Sequence, residues 1–259
     1  MSRPLAVVTG ASGGLGSELA RCFAAGGYDL VLTARRADEL HALAAELPAV
    51  TCHVLPADLA DPMAPGELVA GLAARGLTPD VLVANAGFGL YGPFAGCDER
   101  RLHDLLQVNV VAVTQLVRLI LPGMIDRGRG RILTVASTAA FQPGPLMAAY
   151  YASKAYVLSL SEAVAHECRG TGVTVTCLCP GPTATGFSDA ARMGESKLFD
   201  GPGVMAAKAV AAAGYDGCLR GKRVVVPGVK NRVGAFVGRH LPRRLMLPLV
   251  SRIQARKEG

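Results

Sequence analysis

The feature that most constrains the fold is the alternation of short apolar runs with longer helical stretches along the chain. Most of the runs are continuous Val, Leu and Ile segments, as expected for a parallel sheet covered on both faces. The predicted strands are Leu5–Thr9, Asp29–Thr33, Val50–Leu55, Val81–Ala84, Arg131–Ser137, Val173–Cys179 and Arg223–Val226. The predicted helices are Leu15–Ala25, Ala37–Glu46, Gly66–Ala74, Glu99–Arg127, Tyr150–Arg169 and Gly203–Leu219. This order predicts an α/β fold, a single-domain Rossmann-like doubly wound parallel sheet of about seven strands flanked by helices.

Composition supports one globular domain followed by a distinct C-terminal segment. The 259 residues are 51% hydrophobic and 18% charged, which excludes a disordered chain. We expect residues 1–228 to form one domain and residues 229–259 a basic, apolar extension. The extension holds eight Lys or Arg and one acid, so it carries the whole net charge of +7 while the rest of the chain is neutral.

The cysteines, histidines and apolar stretches predict a cytoplasmic protein without a resident metal. The seven cysteines are odd in number and form no Cys-x-x-Cys pair, so reduced thiols are expected. The five histidines are dispersed, and no metal site is predicted. The segment 5–8 is too short for the apolar core of a signal peptide. The longest apolar stretch, 108–124, is interrupted by Asn109 and Arg118, so no membrane span is expected.

A glycine-rich turn follows the first predicted strand. It runs Thr9-Gly10-x-x-x-Gly14-x-Gly16, with Ser12, Gly13 and Leu15 among the intervening residues. Glycine lets the backbone approach a pyrophosphate closely, and the N-terminus of the next helix offers unpaired N–H groups and partial positive charge. Ligands of such sheets bind beyond the carboxyl ends of the strands, so the turn predicts a dinucleotide site. A tight turn without a ligand is the alternative.

The end of the second predicted strand indicates which dinucleotide is bound. Leu32-Thr33-Ala34 is followed by Arg35 and Arg36, and no acid stands at this tip. An acid would bind the ribose 2′-hydroxyl of NAD(H), whereas the planar guanidinium of Arg suits the 2′-phosphate of NADP(H). NADP(H) is therefore favoured over NAD(H), with Arg35 as the phosphate ligand and Ser12 adding a hydroxyl. For Arg36, a solvated position at the start of a helix is the alternative.

A serine, a tyrosine and a lysine in fixed order supply the candidate chemistry. Tyr150 and Lys154 are four residues apart, so on a helix they share one face. A free tyrosine, with a pKa of about 10, is a poor acid or base at neutral pH. A neighbouring ammonium and an oxidised nicotinamide are expected to lower that pKa. Ser137 ends a strand and can donate to a substrate carbonyl oxygen during hydride transfer. For Tyr151, beside the catalytic tyrosine, a pocket-wall role is expected.

These elements resemble the short-chain dehydrogenase/reductase family over about residues 4–228, with the glycine spacing of its compact branch. The remaining motifs of the family also occur in the family's order, namely Asp58-Leu59, Asn85-Ala86-Gly87, Asn109 and Pro180-Gly181. The resemblance implies that Asp58 contacts adenine, that Lys154 binds the nicotinamide ribose, and that Asn109 holds a water linking Lys154 to solvent. The predicted cofactor-binding residues are Gly10, Ser12, Gly13, Gly14, Leu15, Gly16, Arg35, Asp58, Leu59, Asn85, Ala86, Gly87, Tyr150, Lys154, Pro180, Gly181, Thr183 and Thr185. The predicted catalytic residues are Asn109, Ser137, Tyr150 and Lys154.

The resemblance implies an NADP(H)-dependent oxidoreductase that interconverts a ketone or aldehyde and an alcohol. The loops expected to form the substrate pocket, 88–91, 138–149 and 182–202, are largely apolar, and no Arg or Lys is expected to point into it. A neutral, fairly hydrophobic small-molecule substrate is therefore predicted. The alternative is a non-catalytic NADP-sensing or scaffold protein on the same fold, against which the complete Asn, Ser, Tyr and Lys set argues.

The partners are predicted from helix faces and from the extension. Family members are commonly dimers or tetramers, and apolar faces on the helices expected at 99–127 and 150–169 predict a homodimer or homotetramer. The extension either lies on an anionic membrane surface or an acyl-carrier protein, or packs over the substrate pocket and exposes its arginines. Pro242 and Pro248 are expected to interrupt any single long helix. No nucleic-acid partner is predicted, because the positive charge of the extension is not accompanied by a motif that stacks on bases or reads a groove.

Overall fold

Seven parallel strands form the central sheet. The computed structural model describes residues 3–185 and 204–254. The strands are β1 Leu5–Thr9, β2 Asp29–Thr33, β3 Cys52–Val54, β4 Val81–Ala84, β5 Gly130–Val135, β6 Val173–Leu178 and β9 Val224–Val225. They lie in the order β3-β2-β1-β4-β5-β6-β9, so the direction of winding reverses between β1 and β4. The predicted doubly wound α/β sheet is confirmed.

Alternate side chains of each strand pack on opposite faces of the sheet. In β1, Val7 belongs to the core on one face and Val8 to the core on the other, and both are fully buried. The parallel register pairs Val7 with Val31 and Val8 with Leu32, so each face presents a continuous apolar layer. Burial on both faces is the reason why the strands read as unbroken apolar runs.

The helices cover both faces of this sheet. In the described part of the chain they are α1 Gly14–Ala25, α2 Ala37–Ala45, α3 Ala64–Ala74, α4 Glu99–Leu106, α5 Val113–Asp126, α6 Ala148–Glu167, α7 Ala207–Leu219, α8 Val229–His240 and α9 Arg243–Gln254. The helix predicted from Gly203 begins only at Ala207, because β8 (Met205–Ala206) pairs with β7 (Thr183–Ala184) in a second, two-stranded sheet. Strands of two residues are too short to show a period in the sequence, so this sheet was not predicted.

The prediction of one continuous α-helix over 99–127 is wrong in its middle. A π-helical segment, Gln107–Ala112, separates α4 from α5. The wider i→i+5 turn coincides with Asn109, whose fully buried amide is tied to the backbone of Phe88. This is a local departure from helical geometry at a predicted site residue.

The same stretch, Glu99–Asp126, is long and apolar enough to cross a membrane, contrary to the expectation that no stretch would be. Ala112, Leu116 and Met124 of this stretch are buried in the core against the sheet. Core helices of this kind satisfy the same criteria of length and hydropathy, and burial accounts for part of the apolar character here.

The C-terminal extension folds into α8 and α9. The two helices are separated at Leu241-Pro242, as predicted, but Pro248 lies inside α9, so it does not interrupt the helix. The carbonyl that Pro248 leaves without a helical partner is that of Arg244; both residues are exposed, where water can satisfy it. Met246 and Val250 are almost fully buried in a cluster that also contains Tyr150 and Tyr151. The extension therefore packs against the main domain beside the predicted site.

Candidate active site

A large cavity opens at the carboxyl ends of the strands, next to the point where the winding reverses. Its volume is about 890 Å³. Of the predicted site residues, Asn109 alone is absent from the described residues that line it. Those present are Gly10, Ser12, Gly13, Gly14, Leu15, Gly16, Arg35, Asp58, Leu59, Asn85, Ala86, Gly87, Ser137, Tyr150, Lys154, Pro180, Gly181, Thr183 and Thr185. The fold thus gathers residues from six separate loops into one space.

The glycine turn has a geometry that a side chain would destroy. Gly10 has a φ of 65°, in the left-handed region. A Cβ on Gly16 would stand 2.0 Å from the Gly10 carbonyl oxygen, so only glycine fits there. The turn leads into α1, whose first turn contains no acid. Gly13, Gly14 and Leu15 at this helix start line the cavity, and the unpaired backbone N–H groups of a helix N-terminus suit the pyrophosphate of a dinucleotide.

Asn85 fastens the glycine turn to the neighbouring strand. Its Nδ2 donates to the Thr9 carbonyl oxygen at 2.8 Å, and the backbone N–H groups of Asn85 and Ala86 both donate to Thr9 Oγ1 at 3.0 Å. These contacts join the ends of β1 and β4. These hydrogen bonds give Asn85 a structural role beside the glycine turn.

The two arginines after β2 lie on the wall of the cavity. Arg36 forms an ion pair with Glu39 at 2.6 Å, and its Nη2 donates to Ser12 Oγ at 3.5 Å. Among the described residues, Arg35 has no ion-pair partner. One guanidinium is therefore held by the protein and the other is available to a ligand. Two cations and one hydroxyl suit a 2′-phosphate, so this end of the cavity fits NADP(H).

Ser137, Tyr150 and Lys154 meet at the floor of the cavity. Tyr150 and Lys154 lie one turn apart on α6, and the Lys154 Nζ stands 5.8 Å from the centre of the Tyr150 ring. Lys154 Nζ donates to the Val135 carbonyl oxygen at 2.8 Å. Tyr150 is hydrogen bonded to the Ser137 side chain. Ser137 is fixed by accepting from the backbone N–H of Ala139 at 3.1 Å.

Burial shifts the pKa values of this group. It raises the pKa of Tyr150 well above that of a free tyrosine, and the hydrogen bond with Ser137 opposes the rise. It lowers the pKa of Lys154 to about 8. The lowered tyrosine pKa predicted from the sequence is thus not a property of the protein alone, because desolvation outweighs the hydrogen bond with Ser137. At neutral pH Tyr150 is a protonated phenol, the form that can donate a proton.

Asn109 lies behind the cavity wall rather than on it. Its Oδ1 accepts from the Phe88 backbone N–H at 3.0 Å, and its Nδ2 donates to the Phe88 carbonyl at 2.9 Å and to Ser153 Oγ at 3.1 Å. A Cβ on Gly87 would lie 3.0 Å from Asn109 Oδ1 and 3.2 Å from Lys154 Nζ. Gly87 therefore lies between Asn109 Oδ1 and Lys154 Nζ, and because it has no side chain both groups can lie close to it. The water relay through Asn109 stays a prediction.

The substrate side of the cavity differs in part from the expected loops. Phe88, Gln142, Met147 and Tyr151 line it as predicted, while residues 186–202 of the third loop lie outside the described residues. Val250 of α9 also lines it, in agreement with the interpretation that the extension packs over the pocket.

Two charged residues of α4 were missed. Arg101 and Asp104 line the cavity, so the expectation that no Arg or Lys points into it is wrong. Their spacing of three residues places them on one helix face, which the sequence shows. The direction in which that face points depends on how α4 packs after an irregular connection. This packing cannot be predicted from the local sequence pattern.

The comparisons with known proteins agree with this geometry. A family model described as short chain dehydrogenase matches residues 4–196. A very-long-chain 3-oxoacyl-CoA reductase from Phaeosphaeria nodorum is 36% identical over 180 residues, which are 67% of this chain and 53% of that protein. A sulfoacetaldehyde reductase from Chromohalobacter salexigens is 37% identical over 184 residues, which are 70% of this chain and 73% of that protein. The chain spans about half the length of the 3-oxoacyl-CoA reductases that it matches.

A solved structure extends the similarity to nearly the whole chain. A short-chain dehydrogenase from Sphingobium yanoikuyae, in complex with NADPH, has a TM-score of 0.82 and 31% sequence identity. The match covers 94% of this chain and 95% of that chain. It therefore includes parts of the extension as well as the sheet.

Proposed function

Since the chain belongs to the short-chain dehydrogenase/reductase family of oxidoreductases acting on CH–OH groups, we propose that it uses NADP(H) to interconvert a neutral, hydrophobic ketone or aldehyde and its alcohol. The observation that carries this proposal is one cavity lined by the glycine turn, by Arg35 and by the pair Tyr150 and Lys154. A non-catalytic sensor would require the first two features but not the third.

The proton chemistry belongs to Tyr150. When bound, the reduced nicotinamide supplies a hydride to the carbonyl carbon. Tyr150 is a buried phenol that is protonated at neutral pH, and its hydroxyl gives its proton to the carbonyl oxygen as the C–O double bond is reduced. In the opposite direction the phenolate accepts the proton of the alcohol. A pKa raised by burial keeps Tyr150 in the protonated form that the reduction requires.

Ser137 and Lys154 support that proton transfer. The Ser137 hydroxyl lies beside Tyr150 and can donate to the same carbonyl oxygen, where negative charge develops. Lys154, whose pKa burial lowers to about 8, is able to hold or release a proton near neutral pH. It is the group through which Tyr150 regains its proton, and the group that would hold the nicotinamide ribose. Asn109 lies next to it across Gly87 and completes the proposed relay.

The cofactor preference is tested by titrating the protein with NADPH and with NADH, following the fluorescence of the reduced nicotinamide. We expect tighter binding of NADPH. Loss of the unpaired guanidinium in Arg35→Ala should weaken NADPH binding about tenfold and leave NADH binding unchanged. Arg36→Ala, which removes a guanidinium already held by Glu39, should have the smaller effect. Equal binding of both cofactors, or equal loss of both in Arg35→Ala, would contradict the NADP(H) assignment.

The substrate class follows from the apolar wall and from the relatives. Phe88, Met147 and Val250 suit an acyl chain or another hydrophobic group next to the reacting carbonyl. The similarity to 3-oxoacyl-CoA reductases supports an oxoacyl substrate. Turnover of a series of ketones of increasing chain length should rise with length. A preference for short, charged aldehydes would contradict this assignment.

We also propose that a second copy of the chain covers α4, α5 and α6. Leu106, Val111, Leu119 and Tyr156 on these elements are between 38% and 45% exposed, a high value for large apolar side chains. A homodimer or homotetramer that uses this face would bury them. Light scattering of the purified protein should give two or four times the mass of 26.8 kDa. A monomer would contradict the proposal.

The outer surface of α8 and α9 suits an anionic membrane, and we propose peripheral binding there by an otherwise cytoplasmic protein. The two helices contain six Lys or Arg and no acid, and Val233, Phe236 and Leu245 are more than half exposed. Vesicles containing phosphatidylserine should co-sediment the protein, neutral vesicles less, and Phe236→Ser should weaken the binding. Failure to bind anionic vesicles, or binding to an acyl-carrier protein instead, would overturn this proposal.

A further inference from the structure

Tyr151 stands beside the catalytic tyrosine but belongs to a separate hydrogen-bond network. Its ring is edge-on to that of Tyr150, with 6.2 Å between the ring centres, and it lines the same cavity. None of the steps assigned to Ser137, Tyr150 and Lys154 uses its hydroxyl. A second phenol in a mostly apolar pocket therefore needs its own explanation.

Two amide side chains converge on the Tyr151 hydroxyl. Gln254 of α9, fully buried, donates from Nε2 to the Tyr151 oxygen. Gln142 also forms a side-chain hydrogen bond with Tyr151, and its Oε1 is directed at α8, where a Cβ on Gly238 would lie 2.8 Å away. With its oxygen so placed, Gln142 presents its NH₂ group to the tyrosine. The Tyr151 oxygen thus accepts two hydrogen bonds.

The Tyr151 ring is held as firmly as its hydroxyl. A Cβ on Gly144 would lie 2.4 Å from the ring, so the backbone of that loop touches its face. Leu146, two residues on, holds a φ of 64°, an uncommon conformation for a side chain of this size. Tyr91 donates from its hydroxyl to the Gln254 carbonyl at 2.6 Å and so fixes the end of α9. The position of Tyr151 is set from three sides.

These contacts leave the proton of Tyr151 to a ligand. A phenol has one donor, and both hydrogen bonds that the structure records for this oxygen are received from amide N–H groups. Within residues 3–185 and 204–254 no acceptor for the Tyr151 proton is recorded; Gln254 contacts Tyr151 through Nε2, and its buried Oε1 has no hydrogen-bond partner. Since buried or half-buried donors are rarely left without a partner, the acceptor is to be sought in the cavity that Tyr151 lines.

We propose that Tyr151 is a specificity residue which donates a hydrogen bond to a second oxygen of the substrate, the carbonyl oxygen of an ester or thioester one methylene away from the reacting ketone. This inference deepens the proposed function and rests on it for the position of the reacting carbonyl at Tyr150. Neighbouring phenols on one wall suit two oxygens a few ångströms apart, as in a 3-oxo ester. Gln142 and Gln254 are positioning residues that turn the Tyr151 proton toward the cavity.

The test compares two ligands that differ in the second carbonyl alone. Ethyl butyrylacetate has the oxo group and the ester carbonyl; the matched keto-ether carries a methylene in place of the ester carbonyl. Binding of each is measured by calorimetry with NADP⁺ present, which cannot reduce a ketone, and turnover of each is measured separately with NADPH. Tyr151→Phe should weaken binding of the oxo ester about fivefold to tenfold and leave the keto-ether within about twofold.

The matched control is Tyr156→Phe. It removes a hydroxyl on the same helix that contacts Thr114 and lies outside the described cavity lining, so it should affect binding of neither ligand. Gln254→Met should reproduce part of the Tyr151→Phe effect, since one of the two orienting donors is lost. The turnover data should show the Tyr151→Phe loss mainly in KM, because the proton that reduces the ketone comes from Tyr150.

The outcomes separate this proposal from the reductase assignment. Equal losses for both ligands, no loss for either, or no binding of the oxo ester by the unaltered protein would overturn the role of Tyr151. Selective loss of oxo ester binding in Tyr151→Phe supports it, even where NADPH turnover is absent. In that last case the binding site would stand and the proposed redox function would fall.

Discussion

The two halves of the cavity are built in different ways. The cofactor half consists mainly of backbone: Gly10 and Gly16 are positions where a side chain does not fit, and Asn85 ties two strand ends together. The substrate half consists of side chains from distant parts of the chain, with Tyr151 held by Gln254 of the last helix, 103 residues away. The geometry of the cofactor half follows from residues that are close together in the sequence, whereas the geometry of the substrate half depends on packing between distant parts of the chain.

Tyr150 lies where the two halves meet, and its hydroxyl should be the most costly single group to lose. Tyr150→Phe removes the proton donor while keeping the ring, so turnover of a hydrophobic ketone should fall by about 10²–10⁴-fold. NADPH binding should change little. Tyr156→Phe, which removes a hydroxyl from the exposed side of the same helix, is the control. Comparable turnover by Tyr150→Phe and Tyr156→Phe would contradict the catalytic role of Tyr150.

A methyl group in the glycine turn should break the cofactor half alone. In Gly16→Ala the added Cβ meets the Gly10 carbonyl oxygen at 2.0 Å, so the turn has to move. NADPH binding should be lost, and the free energy of unfolding should fall by about 1–3 kcal/mol. The same change at Gly66, on α3, meets nothing within 4 Å and should be neutral or slightly stabilising. Normal NADPH titration of Gly16→Ala would contradict the assignment of this turn.

Sequence reasoning succeeded where backbone geometry dictates residue type. The seven strands, the glycine turn and the order of Ser137, Tyr150 and Lys154 followed from local patterns, because buried parallel strands and a helix face leave periodic traces. It failed where packing decides. The π-helical segment at Asn109 and the entry of Arg101 into the cavity depend on contacts between remote elements.

Lys154, which is buried one helical turn from Tyr150, makes the stability of the protein depend on pH. Burial lowers the pKa of Lys154 to about 8, from an ordinary value of 10.5. Between these two values Lys154 binds more protons in the unfolded chain than in the folded one, so its own contribution to the free energy of unfolding should rise by about 2 kcal/mol from pH 8 to pH 10. Buried thiols and phenols oppose this rise, since burial raises their pKa values, that of Cys218 and that of Tyr151 to about 12.

The measurement is urea unfolding at pH 8, 9 and 10. Lys154→Met should remove this contribution, so from pH 8 to pH 10 its free energy of unfolding should fall by about 2 kcal/mol relative to that of the unaltered protein, whereas Lys222→Met, at an exposed lysine, should follow the unaltered protein. The same pH dependence in the unaltered protein and in Lys154→Met would contradict the role given to Lys154.

The smallest effect is expected from loosening the substrate half. Met246 is 3% exposed in the cluster that contains Tyr151. Met246→Ala should raise the KM for a hydrophobic ketone several-fold and leave NADPH affinity unchanged, because α9 forms no part of the cofactor wall. Leu247→Ala, one residue on and 42% exposed, should change neither. Parallel losses of ketone and NADPH binding in Met246→Ala would mean that the two halves are not independent.

In the proposed reaction this cavity transfers a hydride between NADPH and a carbonyl compound. The reaction is tested by incubating the protein with NADPH that carries deuterium at both positions of nicotinamide C4 and with a hydrophobic ketone, and by analysing the alcohol by mass spectrometry. We predict an alcohol with deuterium on the carbinol carbon, formed by the unaltered protein and not by Tyr150→Phe. No labelled alcohol from well-folded protein that binds NADPH, across ketones of different chain length, would contradict the account.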